Sequence, residues 1–148
     1  MRLQSAIFML EDTLLRKDGA AREGLEKVLS IFKMESVWMY AVTEKTHAEG
    51  EAALKCAGLA DYFRGVLSED IALCPADSGT MFERTMKRLH SEKADTVVFA
   101  GRLRAIENAR DAGFRTVAVR GAAEEEEWDR MKTAATETLE RYEDYLAE

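Results

Sequence analysis

The sequence predicts a three-layer α/β/α sandwich around a mainly parallel sheet. Short, almost continuously apolar runs recur along the chain, as strands buried on both faces of a parallel sheet require. Segments with apolar residues at helical spacing separate them, so the order β-α-β-α-(β)-α-β-α-β-α follows. Residues 5–10 form the first strand, and an Asp18-Gly19 turn precedes a helix striped by Leu25, Val28, Leu29 and Phe32. Residues 36–42 (Ser-Val-Trp-Met-Tyr-Ala-Val) form the second strand, with Trp38, Met39 and Tyr40 divided between its faces. Thr46-x-x-Glu49 is a capping box, because hydroxyl and carboxylate each satisfy a free amide of the helix start, and Gly58 closes that helix. A weaker strand at 65–68 comes next. Past Pro75, the chain's single proline, a helix is striped by Met81, Phe82, Thr85, Met86 and Leu89. Residues 96–100 and 116–119 read as strands around a helix carrying Leu103, Ile106 and Ala109 and ending at Gly113. Trp128, Met131, Ala135, Thr138, Tyr142 and Tyr145 recur at steps of three and four, which predicts one acidic C-terminal helix over 123–147.

Composition bounds the function. A chain of 148 residues, 47% hydrophobic and 33% charged, is expected to be one globular domain, 1–148, burying roughly two-thirds of its unfolded surface. No apolar stretch approaches the roughly 18 residues of a membrane span, and Met1-Arg2 leads straight into a strand without a targeting signature. Cys56 and Cys74 lack CxxC spacing and read as reduced thiols, so a cytoplasmic location is expected. The net charge of −7 lies entirely in the tail, where residues 122–148 hold ten acids against three bases. Acidity of this kind disfavours nucleic acid and anionic membrane as partners.

Open sheets of this class bind ligands beyond the carboxyl ends of their strands, so a site is expected just after Leu10, Val42 and Ala100. The first of these tips reads Phe8-Met9-Leu10-Glu11-Asp12-Thr13-Leu14, an apolar run ending in an acidic pair. It resembles the opening motif of the haloacid dehalogenase-like (HAD) superfamily, hydrophobic-Asp-x-Asp-Gly-Thr-Leu. On that pattern Met9 stands at the nucleophile, Glu11 at the acid/base and Asp12 at the glycine. Residues 37–45, ending Ala-Val-Thr-Glu-Lys, resemble the second motif, with Thr43 as the match. Gly58-Leu59-Ala60-Asp61-Tyr62-Phe63 is similar to the family's Gly-Leu-x-x-Tyr-Phe turn, and Cys74-Pro75 stands where the family has Lys-Pro. Residues 97–113 resemble the fourth motif; alignment on Ile106 and Ala112-Gly113 sets Gly101 and Ala105 at two metal-binding aspartates. The resemblance spans about residues 5–120 and implies a Rossmann-like sheet with Mg²⁺ as cofactor. With only about 20 residues between Leu15 and the second strand, it also implies a domain without a cap.

The departures from the family carry the functional reading. Phosphoryl transfer of this type needs an aspartate nucleophile, a second carboxylate, Mg²⁺ held by hard oxygen ligands, and a lysine. A thioether is neither a nucleophile for phosphate nor a ligand for Mg²⁺. The expectation is a HAD-like pseudoenzyme that binds Mg²⁺ poorly, has no catalytic residue of the inherited kind, and serves a protein or small-molecule partner. Two alternatives stay open: a hydrolase using Glu11 and Asp12, and an interaction protein that dimerises through Trp128, Met131, Tyr142 and Tyr145. Arg102 and Arg104 stand where the family carries acids. Either an arginine replaces the metal and pairs with Glu11, or both join the amides after Thr43 in an anion pocket, or both are solvated. Glu11 itself reads as an acidic strand tip that caps the following turn or pairs with a nearby base, with an acid/base role as the alternative. Thr46 reads as a cap, and His47 and His90 as surface residues without metal-spaced partners.

Overall fold

Alternation along the strands divides the core in two. The computed structural model describes residues 4–121 and 123–146. Its strands are β1 (Ser5–Met9), β2 (Trp38–Thr43), β3 (Val66–Ser68), β4 (Thr96–Ala100), β5 (Arg115–Val119) and β6 (Glu137–Leu139). They form one sheet in the order β3-β2-β1-β4-β5-β6, with every neighbouring pair parallel. The helices are α1 (Leu25–Met34), α2 (His47–Cys56), α3 (Glu69–Ala72), α4 (Gly79–Arg88), α5 (Leu103–Asp111), α6 (Glu125–Ala134) and α7 (Tyr142–Leu146). Ala6, Phe8, Met39, Ala41, Val97 and Phe99 face one layer with the α1 stripe, Leu54 of α2 and Tyr142 of α7. Ile7, Met9, Tyr40, Val42, Val98 and Ala100 face the other, against Met81, Phe82, Ile106, Ala109, Trp128 and Met131. This is the expected three-layer sandwich, with side chains of period two feeding both layers.

The predicted strands and helix stripes fall where expected through β5. Thr46 and Glu49 form the capping box reciprocally, and Gly58 closes α2 at φ +76°. On the α1 face the Phe8 ring stacks on Phe99 at 4.5 Å between centroids, and Phe32 and Phe63 meet Phe8 at tilted and edge-on angles. Such ring pairs contribute roughly 0.5–1.5 kcal/mol each beyond area burial, so this cluster anchors α1 against β1 and β4.

The C-terminal segment departs from the expectation. In place of one helix over 123–147, α6 ends at Ala134, the chain extends into β6, and only then does α7 begin. Thr136 explains the break: its hydroxyl accepts from the Thr116 amide at 3.1 Å, and its own amide donates to the Thr116 hydroxyl at 2.9 Å. β-branched Thr136 and Thr138 gain a strand partner in β5, which outweighs a helical spacing carried by Ala and Thr. The supposed seam is therefore no stripe. Trp128 and Met131 are buried in the α4/α5 layer, whereas Tyr142 is buried in the α1 layer with Tyr145 packed edge-on to Phe32. The chain crosses the sheet edge between the two halves, so these residues lie in opposite layers of the core.

β1 lies centrally, paired with β2 on one side and β4 on the other. Strand order reverses there, so the tips of β1, β2 and β4 surround one crevice. Among the described residues no helix is long and apolar enough to cross a membrane, and Cys56 and Cys74 are free thiols.

Deleting residues 136–148 removes β6 and the buried Leu139 and Tyr142, a loss on the order of 5 kcal/mol and close to the whole stability of a domain this size. Circular dichroism is expected to show no cooperative melt for the truncated chain. A truncated domain that still melts cooperatively would return this segment to a dispensable surface role.

Candidate functional site

The crevice is organised by the turn that follows β1. Over Leu10–Leu14 the backbone leaves the strand with Glu11 extended (φ −70°, ψ 136°) and Asp12 left-handed (φ 61°, ψ 0°). Asp tolerates that conformation better than most residues because its short side chain is not β-branched and bonds locally. The turn throws the Asp12 carbonyl against two glycines: a Cβ on Gly101 or Gly121 would overlap that oxygen. Thr13, fully buried, locks the arrangement. Its hydroxyl donates to the Glu11 carbonyl at 3.1 Å and accepts from the Gly101 amide at 2.9 Å. Its carbonyl accepts from the Tyr142 hydroxyl at 2.8 Å. Burial pushes the Tyr142 phenol far above its ordinary range, against a smaller opposing effect of the nearby Arg22 charge, so the hydroxyl remains a donor.

Opposite backbone conformations send the two acids to different strands. The Glu11 carboxylate reaches β2, accepting from the Thr43 hydroxyl at 2.6 Å and the Glu44 amide at 3.0 Å. The Lys45 amide in turn donates to Thr43 Oγ1 at 3.1 Å. Asp12 turns toward β4 and accepts from Arg102 Nε at 2.7 Å. The other two guanidinium nitrogens donate to both Glu44 oxygens, at 2.7 and 2.9 Å, in the fork geometry suited to a carboxylate. Hydrogen bonding from Arg102 holds the Glu44 carboxyl below the usual carboxylate range, partly opposed by desolvation. Glu44 raises the Arg102 guanidinium in return, with Asp12 adding to it.

Of the positions singled out in the sequence, the structure brings together Glu11, Asp12, Thr43 and Arg102. It does not bring in the others. Met9 is fully buried and packs in the α4/α5 layer. Ala105 is buried in the same layer, and Cys74 packs partly buried against it. Gly101 contributes an amide, and the overlap with Asp12 leaves no room for any side chain at that position. Arg102, one residue on, is the group that faces the crevice. An arginine does stand among the acids, but it pairs with Asp12 and Glu44 rather than Glu11, because the left-handed Asp12 alone turns its carboxylate toward β4. The Arg102/Arg104 anion pocket is likewise not formed. Arg102 is engaged by two carboxylates, and Arg104 is 74% exposed with its Nε 3.8 Å from Asp77. Glu44 and Tyr142 were missed. Glu44 had a signal, its place beside Thr43 at a strand tip; Tyr142 had none.

The donors at the crevice do not fit Mg²⁺, which demands several hard oxygens in near-octahedral array. Asp12 and Glu44 already neutralise a guanidinium, and both Glu11 oxygens are engaged by neutral donors. Among the described residues no three His, Cys, Asp or Glu side chains converge as a metal site. What the crevice offers is a cavity of about 340 Å³ beside this network, roofed by a short hairpin in which Leu15 bridges Ala21.

Comparison with known proteins identifies the fold. No protein-family model matches the chain. A haloacid dehalogenase-like family hydrolase from Streptococcus pneumoniae superposes with a TM-score of 0.81 over 98% of this chain and 97% of that one, at 11% identity. A conserved haloacid dehalogenase-like protein of unknown function from Agrobacterium tumefaciens gives 0.73 over 86% and 59%, at 21% identity. The fold is therefore the haloacid dehalogenase-like fold. In sequence the chain is 28% identical over 119 residues to a protein of Dickeya dadantii named "Probable phosphatase IndB". The match covers 80% of this chain, which spans about half (51%) of that relative's length.

Two outcomes test the site's architecture. Gly101→Ala is expected to cost about 3 kcal/mol or more in urea unfolding, because the methyl meets fixed backbone. Gly58→Ala, strained in φ but in open space, is expected to cost only about 1–2 kcal/mol. Equal losses for the two would show that Asp12 does not hold the turn against Gly101. The Glu44 carboxyl is depressed in the folded state, so its contribution is present above the ordinary carboxylate pKa and lost as pH falls through the folded value. With the side chain 43% exposed, wild type is expected to exceed Glu44→Gln by roughly 0.5–1 kcal/mol at neutral pH. That gap should close below the carboxylate range, and a gap unchanged by pH would mean that the pair contributes nothing.

Proposed function

We propose that this chain is a haloacid dehalogenase-like domain that binds an anionic ligand or partner at the tips of β1, β2 and β4 and does not transfer phosphate by the fold's usual chemistry. The observation that carries the reading is Arg102, set between Asp12 and Glu44 with three charge-assisted hydrogen bonds. A guanidinium there fills the electrostatic role of a divalent cation but offers no open coordination position, no Lewis acidity and no activated water. Met9 supports it from the other side, since the nucleophile position holds a thioether buried in the core. The hydrolase kinship of the fold and the phosphatase name of the Dickeya relative then describe lineage rather than present activity. The acidic balance of the chain favours a small molecule or a protein as the partner.

A second reading has one specific observation in its favour. Glu11 sits at the acid/base position with Thr43 at 2.6 Å, a pair arranged to hold a carboxylate over the crevice. An active hydrolase would use it. p-Nitrophenyl phosphate with Mg²⁺ separates the two readings. Turnover is expected to stay at background for wild type and to be the same for Glu11→Ala. Mg²⁺-dependent hydrolysis that disappears in Glu11→Ala would overturn the binding reading and establish the other.

A further inference from the structure

We infer that a cavity at the opposite end of the sheet from the crevice binds a zwitterion with an apolar tail, the chemistry of an apolar α-amino acid. The cavity holds about 530 Å³, within the roughly 300–1,000 Å³ of small-molecule sites, and shares no residue with the crevice. It is therefore independent of what the strand tips bind. Strand register builds it. Val97 pairs with Arg115 and Val117 with Glu137, and paired residues point to one side of the sheet, here the side of α1. Val117 and Leu139 form the floor, Phe32 of α1 and Tyr145 of α7 the walls, and Arg115 and Glu137 the rim. Arg115 and Glu137 open β5 and β6, whereas the crevice lies past the last residues of its strands.

The two faces of β5 are covered unequally, which leaves this space. Ala118 packs with Ile106 and Ala109 of α5 and with Trp128 and Met131 of α6. On the other face the helix beside β6 is α7, five residues long. Val117 and Leu139 continue the core there, but two residues earlier on each strand the same face carries Arg115 and Glu137. Their side chains are 41% and 63% exposed and stand 4.0 Å apart, the limit of an ion pair. Such screened pairs hold little and exchange partners readily. No other charged side chain lines the cavity among the described residues. A lone anion or cation entering the cavity is drawn by one of the two and repelled by the other. A zwitterion lying alongside meets both, its carboxylate taking the Arg115 guanidinium and its ammonium donating to Glu137. In an α-amino acid the two groups share one carbon, so they reach charges 4.0 Å apart while the side chain enters between Phe32 and Tyr145. The floor of Val117 and Leu139 then selects an apolar side chain.

Thermal unfolding with L-leucine or L-phenylalanine at about 10 mM tests it, and Tm is expected to rise with both. Glycine, with the same charges and no side chain, should leave Tm unchanged. So should N-acetyl-leucine and leucinamide, which each lack one charge. Arg115→Gln and Glu137→Gln, both at exposed positions, should fold as wild type and weaken leucine by about tenfold or more. Amide NMR shifts on adding leucine are expected at Val117, Leu139 and Tyr145. No rise with leucine or phenylalanine overturns the inference. An equal rise with glycine or with either singly charged analogue overturns it too, as does a rise that survives both substitutions. Amide shifts confined to Glu11, Thr43 and Arg102 would overturn it in favour of the crevice.

Discussion

Thr13 holds the crevice together. One buried residue donates to the Glu11 carbonyl, receives the Gly101 amide and, through its own carbonyl, receives the Tyr142 hydroxyl. Those three bonds join the tip of β1 to the tip of β4 and to α7, elements separated by 88 and 129 residues in the chain. The bonds to Gly101 and Tyr142 are buried, so leaving either partner unmet would cost the desolvation of a buried polar group. The left-handed Asp12 is held in place by this lock, and Gly101 and Gly121 are the positions that make room for its carbonyl. Everything polar in the crevice takes its direction from that turn.

Two adjacent acids in opposite backbone conformations give the crevice two separate circuits. Glu11 is tied to β2 by neutral donors, while Asp12 and Glu44 are tied through Arg102. The positive charge between Asp12 and Glu44 is that of Arg102, a side chain covalently fixed and always protonated. Both circuits are built on the strand tips alone and leave the pairing of β1 with β2 and β4 undisturbed. Stability and catalysis make different demands on the same strand tip: the core needs Met9 to be apolar, and it is.

The legible part of this fold lay in patterns with a single interpretation. Continuous apolar runs mark β1, β2 and β4, and the stripes of α1, α4 and α5 face the core as their spacing indicates, with Met86 and Leu103 partly buried. The C-terminal segment was misread because spacing of three and four carries no information about which face a residue meets. Trp128 and Tyr142 share that spacing and lie on opposite sides of the sheet. Thr136 decided the matter by pairing with Thr116, a contact across 20 residues that no local pattern encodes. In the site, Arg102 and Asp12 were visible as charges at strand tips, yet their pairing depended on the φ of Asp12. Arg104, equally visible, points elsewhere.

The sequence by itself determined the layer order, the strand tips that meet, and the apolar end of β1 at Met9, because these follow from residue type and local period. The tertiary structure alone decided which carboxylate meets which cation, that Gly101 has no room for a side chain, and that Tyr142 ties the turn after β1 to the far end of the chain. Those outcomes depend on angles and distances between segments far apart in sequence. Hydrogen bonds and ion pairs hold only within a few tenths of an ångström, a precision that residue identity and spacing do not carry.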